Sequence, residues 1–258
     1  MLGIRFMALA ACGLPLLASA VALGTEPVAE PRPLFNGRDL TGWVGVDGRA
    51  EDCWKVEDGV LTCLPKKGAW LRSDEQYGDF NLRLEYRVEP GANGGIYVRV
   101  PADGNHHRDN TRLPPAGFEV QLLDDSAAKY ANLKDYQHSG SVYDIAGATR
   151  RVSRPAGEWN ALEINCRGNR VNVIHNSLPI VDIDDHRYPL LALREQKGYL
   201  GLQNHGGGVS FRNIKIGPAA SKSGFEIEAP RRRGTRRKDA SMSLRVPPSP
   251  RPRVTLTR

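Results

Sequence analysis

Apolar and polar side chains alternate along much of this chain with a period of two, the spacing of a half-buried β-strand. From Phe80 to Val88 the alternation runs unbroken over nine positions: Phe80, Leu82, Leu84, Tyr86 and Val88 take one face, and Asn81, Arg83, Glu85 and Arg87 the other. In Gly95 to Val100 the apolar set is Ile96, Val98 and Val100, which assigns Tyr97 and Arg99 to the opposite face. In Phe118 to Leu123, Phe118, Val120 and Leu122 turn inward and leave Glu119 and Gln121 outward. Tyr199 to His205 repeats the pattern, with Leu200 and Leu202 inward and Tyr199, Gln203 and His205 outward. If the last three strands share a sheet, one face of it gathers a carboxylate, a guanidinium, amides, phenols and an imidazole, the raw material of a polar ligand site.

Turn signals complete the fold class. Asp58-Gly59 predicts a two-residue hairpin turn, which pairs Trp54 with Cys63 and puts Cys53 and Cys63 on opposite faces, against a disulfide between them. A second hairpin at Gly168-Asn169 sets Cys166 beside Val171, on the face of Leu162 and Ile164. Cys63 and Cys166 read as core thiols, and no cysteine pair has metal-site spacing. Apart from a short helical turn expected around Ala127 to Leu133, no helix-period stretch occurs beyond the N-terminus. Residues 31–218 are predicted to form a single all-β sandwich.

The ends of the chain differ from this body. Residues 1–24 read as a secretion signal: Arg5, an apolar stretch from Phe6 to Leu17, then the small-residue cleavage site Ala18-Ser-Ala20. The stretch is too short to cross a bilayer, so a secreted or periplasmic mature protein is expected. Leu9-Ala-Ala-Cys12 resembles a lipoprotein box, but few apolar residues precede Cys12, and lipidation is the weaker reading. The net charge of +7 belongs to the other end. Residues 219–258 hold eleven Lys and Arg against three acidic residues, so this segment carries +8, while residues 1–218 sum to −1. Rich in Pro and Arg and without apolar periodicity, it is expected to be a solvated, disordered tail. Polyanion contact through it is the alternative, and no nucleic-acid motif accompanies it.

Several landmarks stand in a fixed order: Leu34-Phe-Asn-Gly-Arg-Asp-Leu-Thr-Gly-Trp43, Trp54-Lys-Val-Glu-Asp-Gly59, Tyr77-Gly-Asp-Phe80, Asn93-Gly-Gly-Ile-Tyr-Val-Arg99, Phe118-Glu-Val-Gln-Leu-Leu-Asp124, Gly157-Glu-Trp-Asn160 and Leu200-Gly-Leu-Gln-Asn-His-Gly206. From about Pro33 to Ile216 the chain resembles the 3-keto-disaccharide hydrolase family. The resemblance implies a concanavalin A-like jelly roll of two antiparallel sheets with its ligand on the concave face. It also implies a polar cluster at Arg99, Glu119, Gln121, Asp124, Gln203 and His205. Two positions depart from the family pattern: Asn204 stands where an Asp is usual, and Ser177 where a Gly is usual.

Ordinary glycosidases flank the scissile bond with two carboxylates, yet the positions sharing a face with Glu119 are Gln121 and Leu123. A ketone at C3 of the sugar changes the requirement, because it acidifies the C2 proton. One base can then start an elimination that water completes. Glu119 would be the base, with Arg99, His205 or a divalent cation steadying the enolate oxygen. An upstream sugar 3-dehydrogenase would have to supply the substrate, since no nicotinamide or flavin motif occurs in the chain. Tyr97 and Tyr143 are candidates for sugar stacking or packing, and His138 for the border of the site. Trp54, Trp70 and Trp159 are expected in the core. His106 and His107 lie in a long loop, Pro101 to Gly117, whose length suggests a functional edge. The competing class is a non-catalytic carbohydrate-binding module of the cell envelope; the wealth of ionisable groups on the predicted face favours an enzyme. A scaffold protein attached through its basic tail rests on the tail alone.

Overall fold

The computed structural model describes residues 30–108 and 111–221; the predicted leader, and the tail beyond residue 221, lie outside the described residues. Among these residues the chain forms thirteen strands: β1 (Arg32–Pro33), β2 (Trp43–Val46), β3 (Trp54–Glu57), β4 (Val60–Cys63), β5 (Trp70–Tyr77), β6 (Phe80–Val88), β7 (Asn93–Val100), β8 (Phe118–Leu123), β9 (Asn160–Arg167), β10 (Arg170–His175), β11 (Leu178–Ile183), β12 (Gly198–Leu202) and β13 (Val209–Gly217). Eight make one sheet, in the order β11-β10-β9-β6-β13-β4-β3 with β1 beside β13, and five make the other, in the order β2-β5-β12-β7-β8. Every strand pair is antiparallel. The fold is a jelly-roll sandwich of two antiparallel sheets, and the helical turn expected near Ala127 is a single 3-10 turn, Ala128–Tyr130.

Local chemistry sets the registers. Asp58 and Gly59 both take positive φ (49° and 78°), the conformation of a tight hairpin turn, so Glu57 pairs with Val60 and Trp54 with Cys63. The β9–β10 hairpin likewise pairs Cys166 with Val171. Cys53, Cys63 and Cys166 are all buried and unbonded. Asn176 and Ser177 turn the β10–β11 hairpin at φ 49° and 67°. Ser177 therefore holds a left-handed conformation that costs a side-chain-bearing residue about 1 kcal/mol or more.

The core lies between the sheets. Phe80, Leu82, Leu84, Tyr86 and Val88 of β6 are all buried against Ile96 and Val98 of β7, Phe118, Val120 and Leu122 of β8, and Leu200 and Leu202 of β12. Each contributes roughly 1.5–3 kcal/mol of burial energy, and one slipped register would turn the whole set outward.

The alternation fails at one place. Tyr97 pairs with Gly201 and Val100 with Tyr199, so Val98 and Arg99 together oppose the single residue Leu200. Arg99 sits at φ 51° in this bulge. The extra residue moves Val100 onto the face of Tyr97, where it packs with Trp70, and sends Arg99 away from it. The expected positions of Arg99 and Val100 are thus exchanged. The Arg99 guanidinium is only 2% exposed and donates to Gly78 O (2.9 Å), Gly168 O (2.7 Å) and Asp79 Oδ1 (3.3 Å). It thereby clasps the β5–β6 turn to the β9–β10 turn.

Candidate active site

Strands β5, β12, β7 and β8 of the five-stranded sheet carry the site. Glu119 leaves β8 beside Gly95 of β7, and its carboxyl lies over that glycine: a Cβ there would stand 2.1 Å from Glu119 Oε1. Tyr97 is the cross-strand partner of Glu119. The Gln203 amide, just past β12, lies beside both the Glu119 carboxyl and the Tyr97 hydroxyl and favours the charged form of each. Beneath them, Trp70 packs edge-on against Tyr97, ring centroids 5.2 Å apart, and lies across Gly201, where a Cβ would meet the indole at 2.6 Å. Trp70 therefore belongs to this face, not to the inter-sheet core where it was expected.

Two segments cover the carboxyl. The Pro101–Gly117 loop brings His106 to it: Nε2 lies 3.5 Å from Glu119 Oε2, and the imidazole stacks on Tyr97 at 4.7 Å between centroids. His106 Nδ1 lies 3.1 Å from Gly104 O, which assigns the ring hydrogen to Nδ1 and leaves the Nε2 lone pair facing Glu119. Arg194 pins this loop by donating to the carbonyls of His106 (2.9 Å) and Gly117 (3.1 Å). The second segment runs beside β8, with Tyr143 N donating to Glu119 O at 2.9 Å, and presents Asp144.

The electrostatics follow from the enclosure. Burial first, then the charge of Asp144, push the Glu119 carboxyl up from 4.5 to about 8, against the stabilising hydrogen bond of Gln203. Burial also lowers the pKa of His106. Facing a neutral imidazole lone pair, a protonated Glu119 has an acceptor for its proton. Burial and the neighbouring Glu119 raise Tyr97 to about 12, so its hydroxyl stays a neutral donor.

Among the residues expected from sequence, Glu119, Tyr97 and Gln203 meet in one cluster. Gln121 shares the face of Glu119 but is buried and accepts from the neighbouring Leu122 N at 3.0 Å. Asp124 caps the turn after β8: it accepts from Gly91 N, Ser126 N and Ser126 Oγ. Burial would raise its pKa, but these bonds hold it below the ordinary value. His138 is buried with its Nδ1 2.9 Å from Asp125 Oδ1, beside the Tyr86–His175 hydrogen bond of 2.9 Å and remote in contact from Glu119. Tyr143 accepts a hydrogen bond from Gln137 and packs on Tyr136. His205 is exposed in the loop after β12, with no hydrogen bond or ion pair to Glu119. Asn204 serves that loop, donating to Lys66 O and Ala69 O.

Sequence reasoning missed Asp144, which no alternation or spacing marks, and treated His106 only as part of a long loop. A divalent cation is one of the alternatives named for steadying the enolate oxygen; among the described residues no three His, Cys, Asp or Glu side chains converge as metal ligands. A surface cavity of about 610 Å³ on the opposite sheet, lined by Asn165, Arg170, Asn172 and Asp185, has its amides engaged with one another and with Asp182. The perturbed carboxyl marks the site better than the size of a cavity does.

Gly95→Ala tests the cradle. Because the clash is with the movable end of Glu119, the fold should persist while the carboxyl shifts by about an ångström. Such a shift is worth roughly a hundredfold in kcat; an unchanged kcat would show that the position over Gly95 is immaterial.

The chain is 26% identical over 221 residues to a 3-keto-disaccharide hydrolase of Bacteroides thetaiotaomicron, an alignment covering 71% of this chain and 76% of that protein. Two crystal structures of candidate glycosyl hydrolases from Parabacteroides distasonis superpose on it. One has a TM-score of 0.60 at 23% identity, covering 72% of this chain and 93% of the other. The second has a TM-score of 0.53 at 26% identity, covering 67% and 98%. Residues 30–217 match the model of the 3-keto-alpha-glucoside-1,2-lyase-like domain, and with nearly all of its sandwich inside that match the chain belongs to this family of carbohydrate-active proteins.

Proposed function

We propose that this protein is an exported carbohydrate-active enzyme that cleaves the glycosidic bond of 3-keto-disaccharides or 3-keto-glycosides by C2 proton removal, elimination and hydration. The observation that carries the reading is the buried Glu119 carboxyl, with a pKa of about 8, set among hydrogen-bond donors in a chain of this family. A carboxylate with so high a pKa is a stronger base than an ordinary one and still about a tenth ionised at pH 7. Glu119 takes the C2 proton, and the C–H electron pair passes toward the C3 ketone as an enolate. Tyr97, the cross-strand partner of Glu119, and Gln203 beside it are the donors that steady the enolate oxygen, the part earlier expected of Arg99 or His205. As the ketone re-forms, C1=C2 closes and the C1–O bond breaks. Water then adds at C1, and Glu119, its proton exchanged with solvent while the unsaturated intermediate is bound, delivers a solvent-derived proton to C2, so the net change is hydrolysis. A reaction that oxidises the sugar at C3 must precede this one. Trp70 and Tyr97 are largely buried and offer no exposed aromatic platform of the kind a binding module uses.

The test is dependence on the ketone. A 3-keto-disaccharide should be cleaved and its unoxidised parent left intact, with C2 deuterium lost to solvent during turnover. Equal rates on both sugars, with the label retained, would return the case to two-carboxylate hydrolysis.

A further inference from the structure

The two segments that cover Glu119 touch each other: His107 Nδ1 lies 2.9 Å from Asp144 Oδ2. Asp144 is fixed in direction, because it stands at φ 58° in a turn closed by the backbone bonds between Val142 and Ala146. A non-glycine residue held in that conformation is a common mark of a functional position. The charge of Asp144 reaches both Glu119 and His106, so the pair belongs to the same cluster as the buried carboxyl. His107 itself stays more than half exposed. Its Nδ1 is taken by the carboxylate, which leaves Nε2 as the nitrogen able to exchange a proton with a substrate oxygen. An aspartate that orients an imidazole in this way is a general arrangement for acid–base work.

We propose that His107, oriented by Asp144, protonates the oxygen that leaves C1 and so determines how poor a leaving group the enzyme can expel. This rests on the reading of Glu119 as the C2 base. When the C1–O bond breaks, its electron pair stays on the departing oxygen and the His107 Nε2 proton joins it, giving the alcohol. The pair released from C2–H forms the C1=C2 bond. In the second half, water bonds to C1 and gives its spare proton to Nε2, while C2 takes a proton from Glu119 that has exchanged with solvent in the meantime. His107 is a catalytic residue in this scheme and Asp144 a positioning residue.

The experiment compares the full-length wild type, His107→Ala and Asp144→Asn on methyl and 4-nitrophenyl 3-keto-α-glucosides, following alcohol release and C2 deuterium loss separately. A 4-nitrophenolate departs without a proton, whereas a methoxide does not. His107→Ala should therefore lose about a hundredfold more in kcat/KM on the methyl substrate than on the aryl one, with deuterium loss outlasting methanol release. Asp144→Asn should show the same leaving-group dependence to a smaller degree. Equal losses on both substrates, or no loss on either, would overturn the proposal, since a merely structural contact cannot sense the leaving group. Retained C2 deuterium in a wild type that still releases alcohol would instead sink the reading of Glu119, and this proposal with it.

Discussion

Glu119→Gln should lose a thousandfold or more in kcat/KM on a 3-keto-disaccharide, by order of magnitude for a removed general base, while gaining stability in alkali. The activity argument is direct, because an amide of the same shape fills the same place beside Gln203 and Tyr97 but cannot accept the C2 proton. On the 4-nitrophenyl substrate, whose leaving group needs no proton, wild-type kcat/KM should rise about tenfold per pH unit and level off near pH 8, where the Glu119 carboxyl ionises. Stability should move the other way. The folded state holds a proton on Glu119 that the unfolded chain releases from about 4.5 upward. The contribution is thus fully present below pH 4.5 and is lost as pH rises through about 8. Its size is a few kcal/mol in order of magnitude, and the Gln variant does not carry it. Thermal unfolding of the variant should therefore match the wild type near pH 4.5 and exceed it by several degrees at pH 9. Parallel melting curves at both pH values would show that Glu119 titrates normally, and a fully active variant would move the base elsewhere.

Arg99→Met should unfold about 10 °C lower than the wild type while each folded molecule keeps its turnover within about fivefold. The guanidinium is buried and makes three hydrogen bonds that join the β5–β6 turn, which links the two sheets, to the β9–β10 turn of the larger one. Removing it leaves the Gly78 and Gly168 carbonyls and the Asp79 carboxylate without their donor, a loss of about 3–5 kcal/mol. For a domain of this size each kcal/mol is worth about 2–4 °C. Arg99→Lys should recover little, because a single ammonium cannot span three acceptors as the planar fork does. A normal melting temperature with turnover abolished would put Arg99 back on the face of Glu119.

The contrast between these two residues shows where local pattern is sufficient. Period-two alternation placed Phe80 to Val88 in the core, put Glu119 and Tyr97 on the opposite face of their sheet, and set Gln203 beside them. Side chains on a strand have only two directions to point, and an apolar set that must leave water decides between them. The Asp58-Gly59 turn settled the pairing of Trp54 with Cys63 for an equally local reason, since few residues tolerate positive φ. Arg99 defeated the same rule because a bulge is a count of residues across two strands, and neither strand alone reveals that Val98 and Arg99 together face Leu200. Trp70 was misplaced for a related reason: its cover is the Pro101–Gly117 loop, which approaches through Gly104 and would meet a Cβ there at 2.5 Å.

What the amino-acid order settled, then, is which side chains leave water on most strands, and with it the sandwich, its main hairpins and the face that carries Glu119. Its match to a family of known proteins rests on that same order. The surroundings of Glu119 were decided by contacts between residues distant in the chain. His106 reaches Glu119 across 13 positions and Asp144 across 25, on irregular segments that have no period to read. It is their enclosure that lifts the carboxyl to about 8, because desolvation and a second negative charge act through space and leave no mark on the neighbours of Glu119 in sequence.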